Sequence, residues 1–190
     1  ASQPDIALFN AKFKDKDKST IKLDFYILHK ISLWGYNESS SELSQIAPSK
    51  RSIEHIMIQN LNSEWKNDLR RNQNYSDEEL KQLHVANLNK WGNLAPMNKD
   101  NNSAIKDLPF HKKNIHPKGY QASNSKIMKN IPKDTRIDTD STSQTHGQEI
   151  PVFHAQHDST KTPEDTWDFE SINERTETLC QKAEKIFKVT

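Results

Sequence analysis

The chain has 190 residues, which suits one domain, or one domain with appendages. Only 32% of them are hydrophobic and 28% are charged, so a core is expected over part of the length. The net charge is +1, no apolar run is long enough to span a bilayer, and the single cysteine, Cys180, excludes an internal disulfide and a cysteine-based zinc cluster.

In chain order, residues 1–20 are mixed, and "KDKDK" at 14–18 reads as an exposed turn or loop. "IKLDFYILHKISLW" at 21–34 is dense in apolar groups. Leu23, Ile27, Ile31 and Trp34 share one helical face with Tyr26 beside it, so a buried helix is expected, ending near Gly35. A polar connector at 37–50 leads to "RSIEHIMI" at 51–58, which is short and rich in β-branched residues and reads as a strand. "LNSEWKNDL" is a loop entering a helical turn. "SDEELKQLHVANL" at 76–88 opens with a capping box, Ser76 as N-cap and Glu79 three residues on, and predicts a helix of about three turns. "WGNLAPM" at 91–97 reads as a second short strand, and "NNSAIKDLPFHKKN" at 101–114 as a helix broken or bent at Pro109.

From 132 to 166 the composition shifts to Asp, Thr, Ser and Gln with little periodicity, which predicts a disordered insertion. A last helix follows Trp167, with Asp168 as N-cap and Ile172, Leu179, Ala183, Ile186 and Phe187 as an apolar stripe that needs a partner surface. Residues 1–132 carry 20 Lys/Arg against 14 Asp/Glu, and residues 133–190 carry 7 against 12. The densest basic stretch, 99–132, is either a phosphate-attracting patch or a solvated lysine surface.

The middle of "SIEHIMIQNLNSEW" at 52–65 holds adjacent titratable groups, Glu54 and His55, in an apolar run. A carboxylate taken out of water costs several kcal/mol unless it is paired or bound to a cation. A neutral imidazole can take a proton near pH 7, which makes His55 a candidate general base. A hard cation such as Mg²⁺ takes oxygen ligands and keeps several waters, and Glu54 and Asn102 can each supply an oxygen. Adjacent strand residues point to opposite faces, so Glu54 and His55 share a site only where the strand end bends. The bland readings are a structural histidine and a surface ion pair of Glu54 with Arg51. Asn98 and Asn101 compete with Asn102. Trp65, Trp91 and Trp167 read as core anchors, and His111, His116, His154 and His157 read against a zinc site, since two of them fall in the stretch 132–166.

Taken together, "EHIMIQNLNSEW" at 54–65, "GNL" at 92–94, Asn102 eight residues before Phe110 in "PFHKK", and Trp167 with "INERTETL" at 172–179 resemble the HNH (His-Me finger) endonuclease domain of GmrSD-type, type IV restriction enzymes. The resemblance covers most of 21–188 outside the insertion. It departs at Ile58, where the family usually has a proline that ends the strand and rigidifies the turn.

The resemblance implies an α+β fold, mostly α-helical, with a ββα-metal core embedded in helices. The expected layout is an N-terminal extension over 1–20, a nuclease core over 21–131, the insertion over 132–166 and a C-terminal helix over 167–190 packed on the core. It further implies a DNA endonuclease acting against foreign or modified DNA. Its expected cofactor is a divalent metal, Mg²⁺ or in its place Mn²⁺, held by Glu54 and Asn102. His55, Asn93 and Glu54 are its expected catalytic residues, with Asn93 orienting the His55 ring. Lys106, Lys112, Lys113 and Arg175 are candidate DNA contacts. Lys112 and Lys113 either grip phosphate or solvate a helix end, and Arg175 either faces the site or braces the core through a carboxylate. The expected partners are DNA and a nucleotide-hydrolysing recognition domain, N-terminal or separate, because no P-loop occurs here; the expected location is the cytoplasm. The alternative is an HNH-fold docking module with weak or lost activity.

Overall fold

A computed structural model describes residues 5–38, 41–70, 73–131, 135–137, 149–151 and 167–187. Helix α1 (Ile6–Lys14) begins at Asp5, whose carboxylate accepts the amides of Ala7 and Leu8. Its Phe13 stacks on Trp91, ring centroids 5.1 Å apart, so part of the N-terminal extension belongs to the core.

Helix α2 (Ile21–Lys30) runs into a π-helical turn, Ile31–Gly35. Its buried face differs from the predicted one. Asp24, Phe25, Leu28, Ile31 and Ser32 point inward, whereas Leu23, Tyr26 and Trp34 are more than half exposed. Apolar periodicity failed here because two of the inward residues are polar and have partners. Asp24 Oδ2 accepts from Ser19 Oγ (2.6 Å), the Thr20 amide (2.9 Å) and Lys16 Nζ (3.2 Å). Ser32 bonds to Glu38 and lies 3.1 Å from Ser125 Oγ. A buried polar group so satisfied no longer opposes burial.

Strand β1 (Arg51–His55) pairs antiparallel with β2 (Leu94–Asn98), Glu54 opposite Ala95 and His55 opposite Leu94. Both are shorter than predicted. Residues 56–58 leave the ladder and bury Ile56, Met57 and Ile58 beneath the sheet, and Trp91–Asn93 form a 3₁₀ turn ahead of β2. Between the strands lie α3 (Ser63–Arg70) and α4 (Asp77–Asn87). The predicted capping box of α4 is formed on both arms: the Glu79 amide donates to Ser76 Oγ and the Ser76 amide to Glu79 Oε2.

After β2 the chain forms α5 (Lys99–Ile105), capped by Asn98, and α6 (Phe110–Ile115), separated at Pro109 as expected. The short helix α7 (Lys126–Lys129) follows. Within the expected disordered insertion, strands β3 (Thr135–Ile137) and β4 (Glu149–Pro151) pair antiparallel; the rest of 132–166 lies outside the described residues.

The last helix, α8 (Phe169–Phe187), starts at Asp168, which accepts the Ser171 amide at 2.8 Å. Ile172, Leu179 and Ala183 are fully buried along the predicted stripe, while Phe187 is at the exposed end. α8 presses on the 91–93 turn at Gly92, where a Cβ would collide with the Ile172 carbonyl oxygen and crowd Thr176 Oγ1. Trp65, Trp91 and Trp167 are all core residues, as read from the sequence.

Candidate active site

The end of β1, the start of α5 and the stretch Lys18–Ile21 ahead of and into α2 border one cleft of about 790 Å³. Ser52, Glu54, His55, Asn89, Asn102 and Lys106 are among its lining residues. Glu54 and His55 reach it together because the pairing with β2 stops at His55 and the chain turns inward.

Asn93 makes that turn. It is fully buried, and its side chain bonds to the loop rather than to the His55 imidazole. Its side chain accepts the Met57 amide (2.6 Å) and donates to the carbonyls of Met57 (3.1 Å) and Leu88 (2.9 Å). Its own carbonyl accepts the Ile56 amide (2.9 Å). His84 Nε2 donates to the Ile58 carbonyl at 2.8 Å. The turn after His55 is therefore fixed by Asn93 and His84. Among the described residues the Ile58 amide meets no acceptor, so a proline there would forgo no hydrogen bond.

His55 is half-buried. Its Nε2 lies 3.3 Å from Asn89 Oδ1, and among the described residues no group bonds to Nδ1. Burial lowers its pKa from the ordinary imidazole value, and Lys113 and Lys16 push the same way against the Asn89 bond and Asp24. The ring is accordingly neutral at pH 7.

Glu54 is buried, and its partner is Lys113 rather than Arg51. Lys113 Nζ bonds to Glu54 Oε1 and donates to the carbonyls of His55 (2.9 Å) and Ile56 (3.0 Å). Tyr120 Oη donates to Glu54 Oε1 at 3.3 Å. Burial pushes the Glu54 carboxyl up to about 6, opposed by Lys113 and Tyr120, and burial lowers the Lys113 ammonium. Glu54 Oε2 accepts no hydrogen bond from the described residues. Arg51 instead lies over the Phe25 ring at 5.1 Å.

Asn102 donates from Nδ2 to Ser52 Oγ (2.7 Å) and to the Ile53 carbonyl (3.0 Å). A carbonyl only accepts, so the amide orientation follows, and Oδ1 is the atom left for a ligand. Asn98 and Asn101 border a different hollow, near Lys50 and Met97. This separates Asn102 from its two sequence competitors.

The candidate DNA contacts divide. Lys106 lines the cleft and is exposed. Lys112 is exposed beside Glu64, at 3.2 Å, and is not among the cleft residues. Lys113 and Arg175 are fully buried, so neither offers its charge to a surface phosphate. Arg175 is held in the core, as one of its two readings had it, and its Nη1 donates to the carbonyls of Gly92 (2.8 Å) and Leu94 (2.9 Å). Sequence reasoning missed Lys18, Lys99 and Asn89, which also line the cleft. Lys18 sat in a stretch read as a plain exposed loop, and Asn89 is one asparagine among many.

A mostly helical domain with a small antiparallel strand pair, a histidine where the pairing ends and an asparagine bracing the turn after it is consistent with an HNH-type domain. The family model for "GmrSD restriction endonucleases, C-terminal domain" matches residues 2–182. The chain belongs to that family, and its HNH (His-Me finger) endonuclease domain spans most of the length. No curated protein matches the chain. No solved structure matches it. Among the described residues no three His, Cys, Asp or Glu side chains gather as a metal cluster, and no helix is long and apolar enough to cross a membrane.

The residues present fit a hydrated hard cation better than a protein-caged one. Among the described residues Asn102 Oδ1 and Glu54 Oε2 accept no hydrogen bond, and both residues line one cleft, which has room for retained waters.

Proposed function

We propose that the chain is a metal-dependent DNA endonuclease, the nuclease part of a system that restricts foreign or modified DNA. The observation that carries this reading is the half-buried imidazole of His55, with one ring nitrogen that meets no partner among the described residues, in a cleft bordered by Lys18, Lys99 and Lys106. Family membership supplies the substrate class.

In this reading a DNA strand lies along the cleft with its phosphates beside the three lysines. His55 takes a proton from a water, and the water oxygen bonds to phosphorus. The bond from phosphorus to the leaving sugar oxygen breaks, and that oxygen is protonated from solvent. Glu54 and Asn102 would hold the divalent ion, Mg²⁺ or Mn²⁺, which would supply neutralisation of the charge that develops in the reaction. Asn93 keeps the turn after His55 in place, and Lys113 holds both the Glu54 carboxylate and the carbonyls of His55 and Ile56. A recognition domain elsewhere is the proposed source of target choice.

The buried Glu54–Lys113 pair favours a second reading, a docking module of the same fold with weak activity, because an ammonium already neutralises the acidic ligand. Nicking of a supercoiled plasmid with Mg²⁺ or Mn²⁺ separates the two. Cleavage by the wild type that His55→Ala and Asn102→Ala abolish, with unchanged melting, supports the nuclease. Salt-sensitive binding without cleavage supports the docking module.

A further inference from the structure

We propose that Asn89, itself held by the main chain of Asp17, is a positioning residue that fixes His55 with its proton on Nε2 and its lone pair free on Nδ1. The inference rests on the reading of His55 as the general base.

The Asp17 carbonyl can only accept a hydrogen bond, and Asn89 reaches it at 2.9 Å. The atom of Asn89 at that end is therefore the amide nitrogen. The same side chain then turns Oδ1, which can only accept, toward His55 Nε2 at 3.3 Å. A neutral imidazole carries one proton, and an acceptor facing Nε2 keeps it there. Nδ1 is left as the base. A reversed amide would set acceptor against acceptor at the Asp17 carbonyl.

The rest of the 16–20 segment makes this a fixed support. Lys16 Nζ donates to the Asn89 carbonyl at 3.2 Å, to Asp24 Oδ2 at 3.2 Å and to the Lys18 carbonyl. Asp24 in turn accepts from Ser19 and Thr20. Lys16 also lies over the Trp91 ring at 4.8 Å. Asn89 is thus gripped through its side chain and its main chain by one segment anchored on α2. The sequence "KDKDK", which reads as a solvated loop, is the outer support of the catalytic ring. Asn93, the asparagine that motif reasoning gives this task, holds the turn after His55 and leaves the ring to Asn89.

The test uses the whole chain, ¹⁵N-labelled at histidine, above the titration range of imidazole. Long-range ¹H–¹⁵N correlations distinguish the two ring nitrogens. Wild type is expected to show a single His55 state with Nε2 protonated. Asn89→Leu removes donor and acceptor together and is expected to give a mixture with a measurable Nδ1-protonated fraction. Its kcat for plasmid nicking falls about 10- to 100-fold while KM stays within about 3-fold, the signature of a misplaced base rather than lost binding. Asn89→Asp keeps an acceptor for Nε2 but loses the donor to the Asp17 carbonyl, so it is expected to retain the Nε2-protonated state and to recover only part of kcat. Thermal melts establish that both variants are folded. Wild-type His55 protonated on Nδ1 would overturn the proposal, and so would Asn89→Leu with unchanged ring signals. A wild type that does not cleave DNA, yet shows the expected ring state, overturns the nuclease reading and leaves the ring geometry standing.

Discussion

At the scale of single residues, the site is governed by which charges have partners. Glu54 and Lys113 are both buried and bonded to one another, with Tyr120 on the same carboxylate oxygen and two carbonyls on the ammonium. Such a pair need not add net stability, but removing one member strands the other. Lys113→Met is therefore expected to lower the unfolding free energy by about 3–5 kcal/mol, measured by chemical denaturation. Adding Glu54→Gln to it should recover part of the loss; a loss below about 1 kcal/mol for Lys113→Met would remove the pair from the account. His55 gives a pH prediction. Burial depresses its folded pKa, so the neutral, base-competent ring persists to lower pH than in a free imidazole. The acid limb of kcat/KM is expected below pH 6.5, and a limb at or above that value contradicts the burial argument. The sign for stability follows: as pH falls below about 6.5 the unfolded chain takes up the proton first, so the His55 contribution is lost between that value and the folded one. Much of this site is legible in the sequence, because Glu54, His55, Asn93 and Asn102 keep a motif order. Asn89 is not. The chain has asparagine at 87, 89, 93, 98, 101 and 102, and the acceptor that selects 89 is a main-chain carbonyl, which any residue type supplies.

At the scale of elements, local signals read true and long-range ones did not. The Ser76–Glu79 capping box and the Asp168 cap are satisfied within three residues, so sequence alone locates the starts of α4 and α8. The inward face of α2 depends on Ser32 meeting Ser125 and Glu38, and 93 residues separate the two serines. No periodicity carries that information. Gly92 shows how a motif glycine serves packing: its missing Cβ lets α8 approach, while its amide donates to Thr176 Oγ1 at 2.9 Å and its carbonyl accepts from Arg175. Gly92→Ala is expected to cost about 1–3 kcal/mol by overpacking and to lower the melting temperature by several degrees. Because Gly92 directly precedes Asn93, this variant should also weaken DNA cleavage. An unchanged melting temperature would show that α8 can shift without loss.

At the scale of the whole molecule, the basic excess of residues 1–132 takes a more specific form. Lys113 is withdrawn into the interior, while Lys18, Lys99 and Lys106 border the cleft beside His55. If these three contact DNA phosphates, replacing all three with glutamine should reduce the slope of log affinity against log salt by about 3, since each neutralised phosphate contributes roughly 0.9. Lys112→Gln, outside the cleft, should change it little. Equal slopes for wild type and the triple variant would place the DNA elsewhere.

The central claim is that His55 acts as the base from within this cleft. The most direct measurement is cleavage by His55→Gly in the presence of added imidazole and Mg²⁺. The account predicts no cleavage without imidazole and a saturable recovery that follows the neutral form of the added base. Cleavage by His55→Gly at the wild-type rate, with no imidazole present, would contradict it.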